Sequence, residues 1–368
     1  MRDLPVISQV LIARLNEPLN EPFPISSGSQ SSTSNVLVRV RLKDGTIGYG
    51  EGAPSTTFNG DSQDLTYRAL SEEISFLEGK SISDVGPFLR KLDLRMPPER
   101  GAARAAIQMA ILDAWTRFRK IPLRSFLGGA KKSVFSDVTV TLIPPEKSRL
   151  AARKIARLGV QTIKIKVGCD LDEDEKRVLA VLAEAPKARL IIDANQGYSS
   201  KKALDFLVRL KKRGISPALF EQPVKREDLE GLFDVEKYGG VRVCADESAD
   251  SFKAVQNLFR RPFPSAVNIK LMKCGIIENI QIADLARKKG KILMIGGNIE
   301  TALAMTTSAH FACGRGDFSF VDLDTPLWFS QKLWKGPSIG RKGLYDLSKV
   351  RAGLGMEPLP RLKKLVGF

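Results

Sequence analysis

The sequence predicts an α/β protein in which a barrel of parallel strands follows a smaller α+β domain. Residues 1–60 have the pattern of strands and turns, residues 62–128 that of helices, and from about residue 134 apolar runs alternate with polar helical segments. Helices connect parallel strands, and eight such units close a barrel. The eight apolar runs are residues 137–142, 162–167, 190–193, 218–221, 241–245, 266–270, 292–295 and 318–322.

The first 60 residues predict an antiparallel sheet. Apolar and polar side chains alternate at residues 6–15 and again at 35–42, as in strands buried on one face. Asp44-Gly45 then indicates a tight hairpin turn, because that turn needs the positive φ values that glycine adopts readily. Residues 16–34, rich in Ser, Pro and Gly, are predicted to form a long mobile loop.

Helices follow this sheet. Residues 62–79 have helical periodicity and end at a glycine, and residues 102–118 are Ala-rich and apolar on most sides, which predicts a buried helix. The pair Gly128-Gly129 then interrupts the pattern. We therefore expect a first domain at residues 1–130, the barrel at 131–340, and a basic segment at 341–368 that returns to the first domain.

Composition and charge exclude several classes of protein. The four cysteines are widely spaced without a C-x-x-C pair, which argues against a disulfide framework or zinc site and favours a reducing cytoplasm. No stretch approaches the ~20 apolar residues of a membrane span, and the N-terminus lacks a signal-peptide pattern. The formal charge of +17 is scattered and no nucleic-acid-binding motif accompanies it, so we expect neither nucleic acid nor membrane as a partner.

The single histidine, His310, lies in an apolar helical pattern and is predicted to be a packed helix residue. Acid–base chemistry would then use Lys, Asp, Glu or Tyr. Residues 162–167 contain two lysines on one strand face, Lys164 and Lys166. Alone, this pattern is typical of an amphipathic strand with its lysines in water. In a barrel of parallel strands, whose faces are both covered, the two lysines would lie inside.

Charged residues recur at the predicted C-terminal strand ends, where barrel enzymes place their functional groups. Lys166, Asp193, Glu221, Asp246 and Lys270 are separated by 27, 28, 25 and 24 residues, one strand–helix unit each. A single carboxylate there is more often a helix cap, but three in successive units between two lysines are hard to explain by capping.

Three carboxylates at one barrel mouth would repel each other, and a hard divalent cation resolves this. Mg²⁺ prefers oxygen ligands, so we predict a metal site at Asp193, Glu221 and Asp246, supported by Asn195. Lys166 and Lys270, on the second and sixth strands, would face each other across the mouth. Burial, the metal and Lys164 are expected to lower the pKa of these lysines. Such a pair suits proton removal next to a carboxylate, with the enediolate charge held by the metal.

The ordered motifs resemble those of the enolase superfamily, and in particular its muconate-lactonising subgroup. The resemblance covers nearly the whole chain and implies a modified TIM barrel, (β/α)7β, with an N-terminal α+β capping domain. Its motifs are Gly50-Glu51-Gly52-Ala53-Pro54, Lys164-Ile165-Lys166, Asp193-Ala194-Asn195, Glu221-Gln222-Pro223, Asp246-Glu247-Ser248, Asn268-Ile269-Lys270 and Gly353-Leu354-Gly355.

Asp322-Leu323-Asp324 at the last strand resembles the motif with which dipeptide epimerases hold the α-ammonium group of their substrate. The resemblance implies that Lys166 and Lys270 transfer the proton at the α-carbon of the C-terminal residue. It implies a Mg²⁺ cofactor and a dipeptide substrate, with Lys164 beside the carboxylate. It also assigns a dipeptide contact to Thr139 and a side-chain pocket to residues 297–299, including Gly297 and Ile299.

One departure from the family pattern concerns specificity. Epimerases acting on Ala-Glu carry an arginine in the capping loop, whereas here no Lys or Arg lies between Leu15 and Val38, and Gly28 matches that position. We therefore expect neutral or basic C-terminal side chains to be preferred. Other activities of the subgroup stay open: cycloisomerase, o-succinylbenzoate synthase or N-acylamino-acid racemase. A basic scaffold or nucleic-acid-binding protein is a remote alternative, and a homo-oligomer is also left open.

Overall fold

The computed structural model describes residues 4–25, 28–56 and 60–367. Residues 26 and 27 of the predicted loop, and the extreme ends of the chain, lie outside the described residues. The strands are β1 Ile7–Leu15, β2 Pro18–Ile25, β3 Gly28–Ser32, β4 Asn35–Leu42, β5 Ile47–Gly52, β6 Ser133–Phe135, β7 Val138–Val140, β8 Thr162–Lys166, β9 Arg189–Asp193, β10 Leu219–Glu221, β11 Val243–Ala245, β12 Ala266–Ile269, β13 Ile292–Ile295, β14 Phe318–Val321, β15 Trp334–Lys335, β16 Leu344–Asp346 and β17 Glu357–Pro358.

Helices alternate with the barrel strands and also cover the N-terminal sheet. They are α1 Gln63–Leu77, α2 Val85–Asp93, α3 Gly101–Phe118, α4 Leu123–Phe126, α5 Pro145–Leu158, α6 Leu171–Glu184, α7 Ser200–Lys212, α8 Leu229–Gly239, α9 Phe252–Leu258, α10 Leu271–Lys288, α11 Ala302–Arg315 and α12 Pro360–Val366, with short 3₁₀ turns at Thr325–Trp328 and Arg341–Gly343. In the described part of the chain, no helix combines the length and apolar character that crossing a bilayer requires.

The predicted barrel is confirmed. Strands β7 to β14 form one sheet in which each strand neighbours the next in sequence, and all seven adjacent pairs are parallel. The backbone amide of Asp137 donates to the carbonyl of Val321 at 2.8 Å, which joins the first strand to the last. Each of the eight predicted runs overlaps one of these strands, and no end differs by more than two residues.

The register brings the charged strand ends to the same level. Thr139 pairs with Lys164, Lys166 with Asp193, and Asp193 with Glu221 across β7 to β10. Lys164 and Lys166 are buried and point into the barrel, whereas Ile163 and Ile165 belong to the core under the helices. The lower barrel interior is filled by a separate apolar cluster that includes Ile191, Leu219 and Phe320. The lysines therefore lie above a packed floor, at the open end of the barrel.

The N-terminal sheet, in the order β1-β4-β5, packs against helix α3. Alternate residues of β5 are glycines, and each faces the backbone of that helix. A Cβ atom added at Gly48 or Gly50 would lie 2.2 or 2.0 Å from the carbonyl oxygen of Ala110 or Ala106. The Gly-x-Gly-x-Gly pattern thus allows sheet and helix backbones to approach more closely than any side chain would permit.

The predicted loop at residues 16–34 is wrong in part, because the structure folds it as the hairpin β2–β3. The two strands pair antiparallel from Pro18 opposite Ser32 to Ile25 opposite Gly28, with an irregularity in register between them. Every residue of β3 is exposed, so the alternation that signals a half-buried strand is missing. Three prolines in β2 argue further against a strand in a sequence-based prediction.

The C-terminal segment contacts both parts of the molecule. Strand β16 pairs with β6 below the barrel, and the backbone near Gly353 bridges to Pro122. Asp113 of helix α3 accepts from the amide of Leu354 at 2.8 Å. His310 is fully buried, as predicted: its Nδ1 accepts from the amide of Arg124 at 3.0 Å, and burial lowers its pKa to about 3.

Candidate active site

The C-terminal ends of the barrel strands and the β2–β3 hairpin enclose a cavity of about 350 Å³. The barrel supplies its floor and walls, and residues such as Phe23 and Gly28 supply its roof. Both predicted lysines and every residue assigned by resemblance to the dipeptide line this cavity, namely Thr139, Lys164, Lys166, Lys270, Gly297, Ile299, Asp322 and Asp324. The structure therefore brings together side chains that are spread over 186 positions of the chain.

The two lysines reach the cavity from opposite sides. Lys166 ends β8 and Lys270 follows β12, which are four strands apart in the ring of eight. The Nζ of Lys166 lies 2.6 Å from Oδ2 of Asp193 and donates to Oδ1 of Asn195 at 2.7 Å. The Nζ of Lys270 lies 2.8 Å from Oδ2 of Asp246. Each lysine is thus held by a carboxylate beneath it while its side chain borders the cavity.

Lys164 is the most deeply buried of the three cavity lysines, and its ammonium group joins three strands. Its Nζ lies 2.9 Å from Asp193, 2.8 Å from Glu221 and 2.7 Å from Asp322. Burial acts to lower the pKa of Lys164, but these carboxylates outweigh it and raise the pKa well above the ordinary value. Lys164 is therefore a fixed positive charge at the centre of the site.

The three predicted metal ligands lie beneath the cavity and are fully buried. Asp193 and Glu221 end adjacent strands, and Asp246 directly follows the next one. Burial raises the pKa of Glu221 to about 7 with help from the charge on Asp193, whereas Lys164 and Lys166 overcome burial and lower the pKa of Asp193 to about 2. Three carboxyl groups this close titrate as one system, so the charge around them decides how many are ionised.

Oxygen donors on three neighbouring strand ends are the ligand set that Mg²⁺ prefers. Within the described residues, however, no three acidic side chains are already arranged as a metal cage. The ammonium of Lys164 lies between Asp193 and Glu221, and Lys270 and Lys273 contact Asp246. The residues fit the cation in their chemistry and burial, and lysines supply the positive charge there in this structure.

Two of the effects predicted to lower the pKa of Lys270 are present in this structure, and neighbouring carboxylates act against them. Burial and the charge of Lys164 act to lower it, as expected, but Asp246 and then Glu221 raise it above the ordinary value for lysine. The prediction counted the cationic neighbours and the burial. It also counted the charge of the metal, but it did not count the direct ion pair with Asp246, whose other carboxylate oxygen lies 2.8 Å from Nζ of Lys273.

Asp322 and Asp324 are placed differently on the cavity wall. Asp322 pairs with Lys164, and this pairing lowers its pKa against the effect of burial. Asp324 accepts from the backbone amide of Thr139 at 2.7 Å, and burial together with the charge on Asp322 raises its pKa to about 7. An ammonium group between the two would favour the charged form of both.

Several residues of the site were not predicted from the sequence. Lys273 is buried, and its Nζ lies 2.8 Å from Oδ1 of Asp246 while donating to the carbonyls of Asp246 and Asn268 at 2.7 Å each. Glu247 lines the cavity, and Oε1 of Glu221 accepts from Nδ2 of Asn268 at 2.7 Å. The spacing of three residues between Lys270 and Lys273, one helical turn, was the available signal.

Two family models match the chain. The one described as mandelate racemase / muconate lactonizing enzyme, N-terminal domain, matches residues 7–128, and the one described as enolase C-terminal domain-like matches residues 147–362.

Similar proteins agree with this match over nearly their whole length. An aromatic dipeptide epimerase from Herpetosiphon aurantiacus is 40% identical over 355 residues, which cover 96% of this chain and 99% of that protein. A hydrophobic dipeptide epimerase from Citrifermentans bemidjiense is 35% identical over 360 residues, covering 96% and 98%. A crystal structure of a dipeptide epimerase from Enterococcus faecalis V583, complexed with Mg and the dipeptide L-Leu-L-Tyr, superposes with a TM-score of 0.90 at 31% identity, covering 96% of this chain and 99% of that one.

Proposed function

Because the chain belongs to the mandelate racemase and muconate lactonizing enzyme family of the enolase superfamily, we propose that it is a Mg²⁺-dependent dipeptide epimerase. The observation that supports this most directly is the placement of Lys166 and Lys270 on opposite sides of one cavity. Buried carboxylates lie below them, and Asp322 and Asp324 lie on the wall. A 1,1-proton transfer needs a proton-accepting group on each face of the α-carbon, and this cavity offers two.

The three lysines of the cavity have separate roles in this proposal. One of Lys166 and Lys270 removes the α-proton of the C-terminal residue, and the other returns a proton on the opposite face. The ion pairs with Asp193 and Asp246 keep each amine aimed at the cavity. Lys164 lies beside the substrate carboxylate, where a permanent positive charge favours the negative charge that develops during proton removal.

Asp193, Glu221 and Asp246 would hold Mg²⁺, and the bound cation would add positive charge where the substrate carboxylate becomes more negative. Asp322 and Asp324 accept hydrogen bonds from the α-ammonium group of the dipeptide. Thr139 supports this contact, since its amide orients Asp324. The wall formed by Gly297 and Ile299 faces the C-terminal side chain.

We also propose that this side chain is neutral or basic and not acidic. The cavity lining contains Lys164, Lys166 and Lys270 as its cations, and each is paired with a carboxylate. Glu17 of the N-terminal segment is buried and paired with Arg361 at 2.8 Å, so it does not offer a charge to the substrate either. Phe23 in the roof stacks edge-on against Trp328 with ring centroids 4.8 Å apart, which presents an apolar surface.

Exchange of hydrogen for deuterium at Cα tests the proposal. The protein is incubated in D₂O with Mg²⁺ and a library of L-Ala-X dipeptides, and each peptide is followed by NMR and mass spectrometry. We expect exchange and epimerisation at the C-terminal residue, strongest for neutral or basic X. If none of the dipeptides exchanged its α-hydrogen, the proposed function would be refuted. A strong preference for Ala-Glu would refute only the proposed specificity.

The division into domains at residues 1–130, 131–340 and 341–368 and a cytoplasmic location are further parts of this proposal. The described cysteines are all free, which is consistent with a reducing compartment. Limited proteolysis would test the boundaries, because cleavage in a linker leaves folded fragments.

A further inference from the structure

Glu51 is a buried carboxylate at the place where the N-terminal sheet meets the barrel. It lies in β5, and its side chain points away from helix α3, since its neighbours Gly50 and Gly52 face that helix. It is fully buried, yet it does not belong to the carboxylate group beneath the cavity. Burying a carboxyl group costs free energy unless hydrogen bonds compensate it. The hydrogen bonds of Glu51 therefore identify the residues that it positions.

The contacts of Glu51 reach the loop between β13 and α11. Oε1 of Glu51 accepts from the amide of Thr301 at 2.9 Å and from Nδ2 of Asn35 at 2.7 Å. The same Nδ2 donates to the carbonyl of Ile299 at 3.0 Å. Nδ2 of Asn298 donates to the carbonyl of Ala53 at 2.9 Å. The N-terminal sheet therefore holds residues 298–301 from one side.

The same loop is also held by a contact within it and by a contact from the residues that follow β14. Oε1 of Glu300 accepts from the amide of Asn298 at 2.7 Å, and the hydroxyl of Thr325 donates to the carbonyl of Glu300 at 2.7 Å. Gly297, Asn298 and Ile299 all line the cavity. The wall of the cavity is thus positioned by hydrogen bonds, with Glu51 at their centre.

The side chain at residue 51 must accept on both of its oxygens. Nε1 of Trp334 donates to the hydroxyl oxygen of Thr301 at 3.1 Å, which leaves the hydroxyl hydrogen to be donated to Oε2 of Glu51. Oε1 already receives two donors. A glutamine would fill the same volume, but its amide nitrogen would deprive two donors of their acceptor in place of Oε1 and one donor in place of Oε2.

We propose that Glu51 is a positioning residue that fixes the 297–299 wall and thereby sets which C-terminal side chains the cavity accepts. This inference rests on the proposed epimerase function. Glu51 does not touch the lysines or the predicted metal ligands. It acts through Asn35 and Thr301, and it links the N-terminal sheet to the substrate pocket.

The test compares E51Q with E73Q, a matched variant of another buried glutamate in the N-terminal domain, which pairs with Arg95 and does not contact the loop. kcat and KM are measured for L-Ala-L-Ala and L-Ala-L-Phe. We expect E51Q to change the ratio of the two kcat/KM values roughly tenfold, mainly through KM, because a buried donor is left unsatisfied. E73Q should keep the wild-type ratio, and T301S, which retains the hydroxyl, should do so as well.

Amide hydrogen exchange supplies a readout independent of turnover. E51Q should accelerate exchange at residues 296–301, whereas E73Q should not. A ratio within twofold of wild type together with unchanged exchange would overturn the positioning role while leaving the epimerase function intact. If the wild-type protein turned over no dipeptide, the function and the specificity role would both fail. Exchange alone would then decide whether Glu51 fixes the loop.

Discussion

Replacing Lys273 by Met should destabilise the protein strongly, although the residue does not line the cavity. Its ammonium group makes one ion pair with Asp246 and two hydrogen bonds to backbone carbonyls, all at 2.7–2.8 Å in a site that is almost fully buried. Removing one partner of a buried pair costs about 3–5 kcal/mol, because the remaining charge stays buried. Methionine keeps the volume but supplies none of the three donors.

This loss of unfolding free energy should lower the midpoint temperature of thermal unfolding by a measurable amount. A chain of 368 residues has an unfolding entropy of about 0.8 kcal/mol/K, so about 3–5 kcal/mol corresponds to a midpoint about 4–6 °C lower. The assay is calorimetric or circular-dichroism melting at constant pH. The matched control is K176M, which removes an exposed ion pair with Glu173 and should leave the midpoint unchanged. Equal midpoints for the two variants would show that Lys273 does not compensate the buried charge of Asp246.

Two further predictions concern the chemistry, and a third concerns the pH dependence of stability. K166A and K270A should each abolish epimerisation, yet each should still exchange the α-proton of one epimer in D₂O. NMR should then show that each variant labels the epimer that the other variant does not label. Loss of exchange with both epimers would contradict a two-base mechanism. D324N should raise KM for dipeptides at least about tenfold, since it weakens a buried charge contact to the ammonium group, whereas an enzyme for dicarboxylates or N-acyl substrates would be little affected. Burial, chiefly, raises the pKa of Glu300 to about 8, so the folded state keeps a proton that the unfolded state loses near pH 4–5. Stability should therefore fall as pH rises through this window to about 8, and denaturation of E300Q should show a flatter pH profile.

The strand ends could be predicted because the barrel repeats one unit after another. Once the apolar runs are recognised, Lys166, Asp193 and Lys270 fall at equivalent positions, and parallel register brings them to one level. The lysine partners could not be predicted in the same way. Whether the pKa of Lys270 rises or falls depends on a contact of a few ångströms with Asp246, which spacing alone does not give.

The contacts between the two halves of the molecule were beyond sequence reasoning for a different reason. Asn35 begins β4 and Ile299 lies in the loop after β13, 264 positions away, and no periodicity relates them. The hairpin formed by β2 and β3 was missed because β2 contains three prolines and every residue of β3 is exposed. It contributes Phe23, Gly28 and Ser29 to the cavity lining, although it has no apolar pattern of its own.

The glycine face of β5 links the interior of the N-terminal domain to the substrate range of this enzyme. Gly48 and Gly50 fix the strand against helix α3 so closely that any larger residue would shift one backbone relative to the other. Tyr49 and Glu51, on the opposite face, would move with it. A substitution in the interior of the N-terminal domain, far from any reacting atom, would therefore reshape the pocket indirectly, whereas the exposed hairpin in its roof can vary without disturbing the lysines.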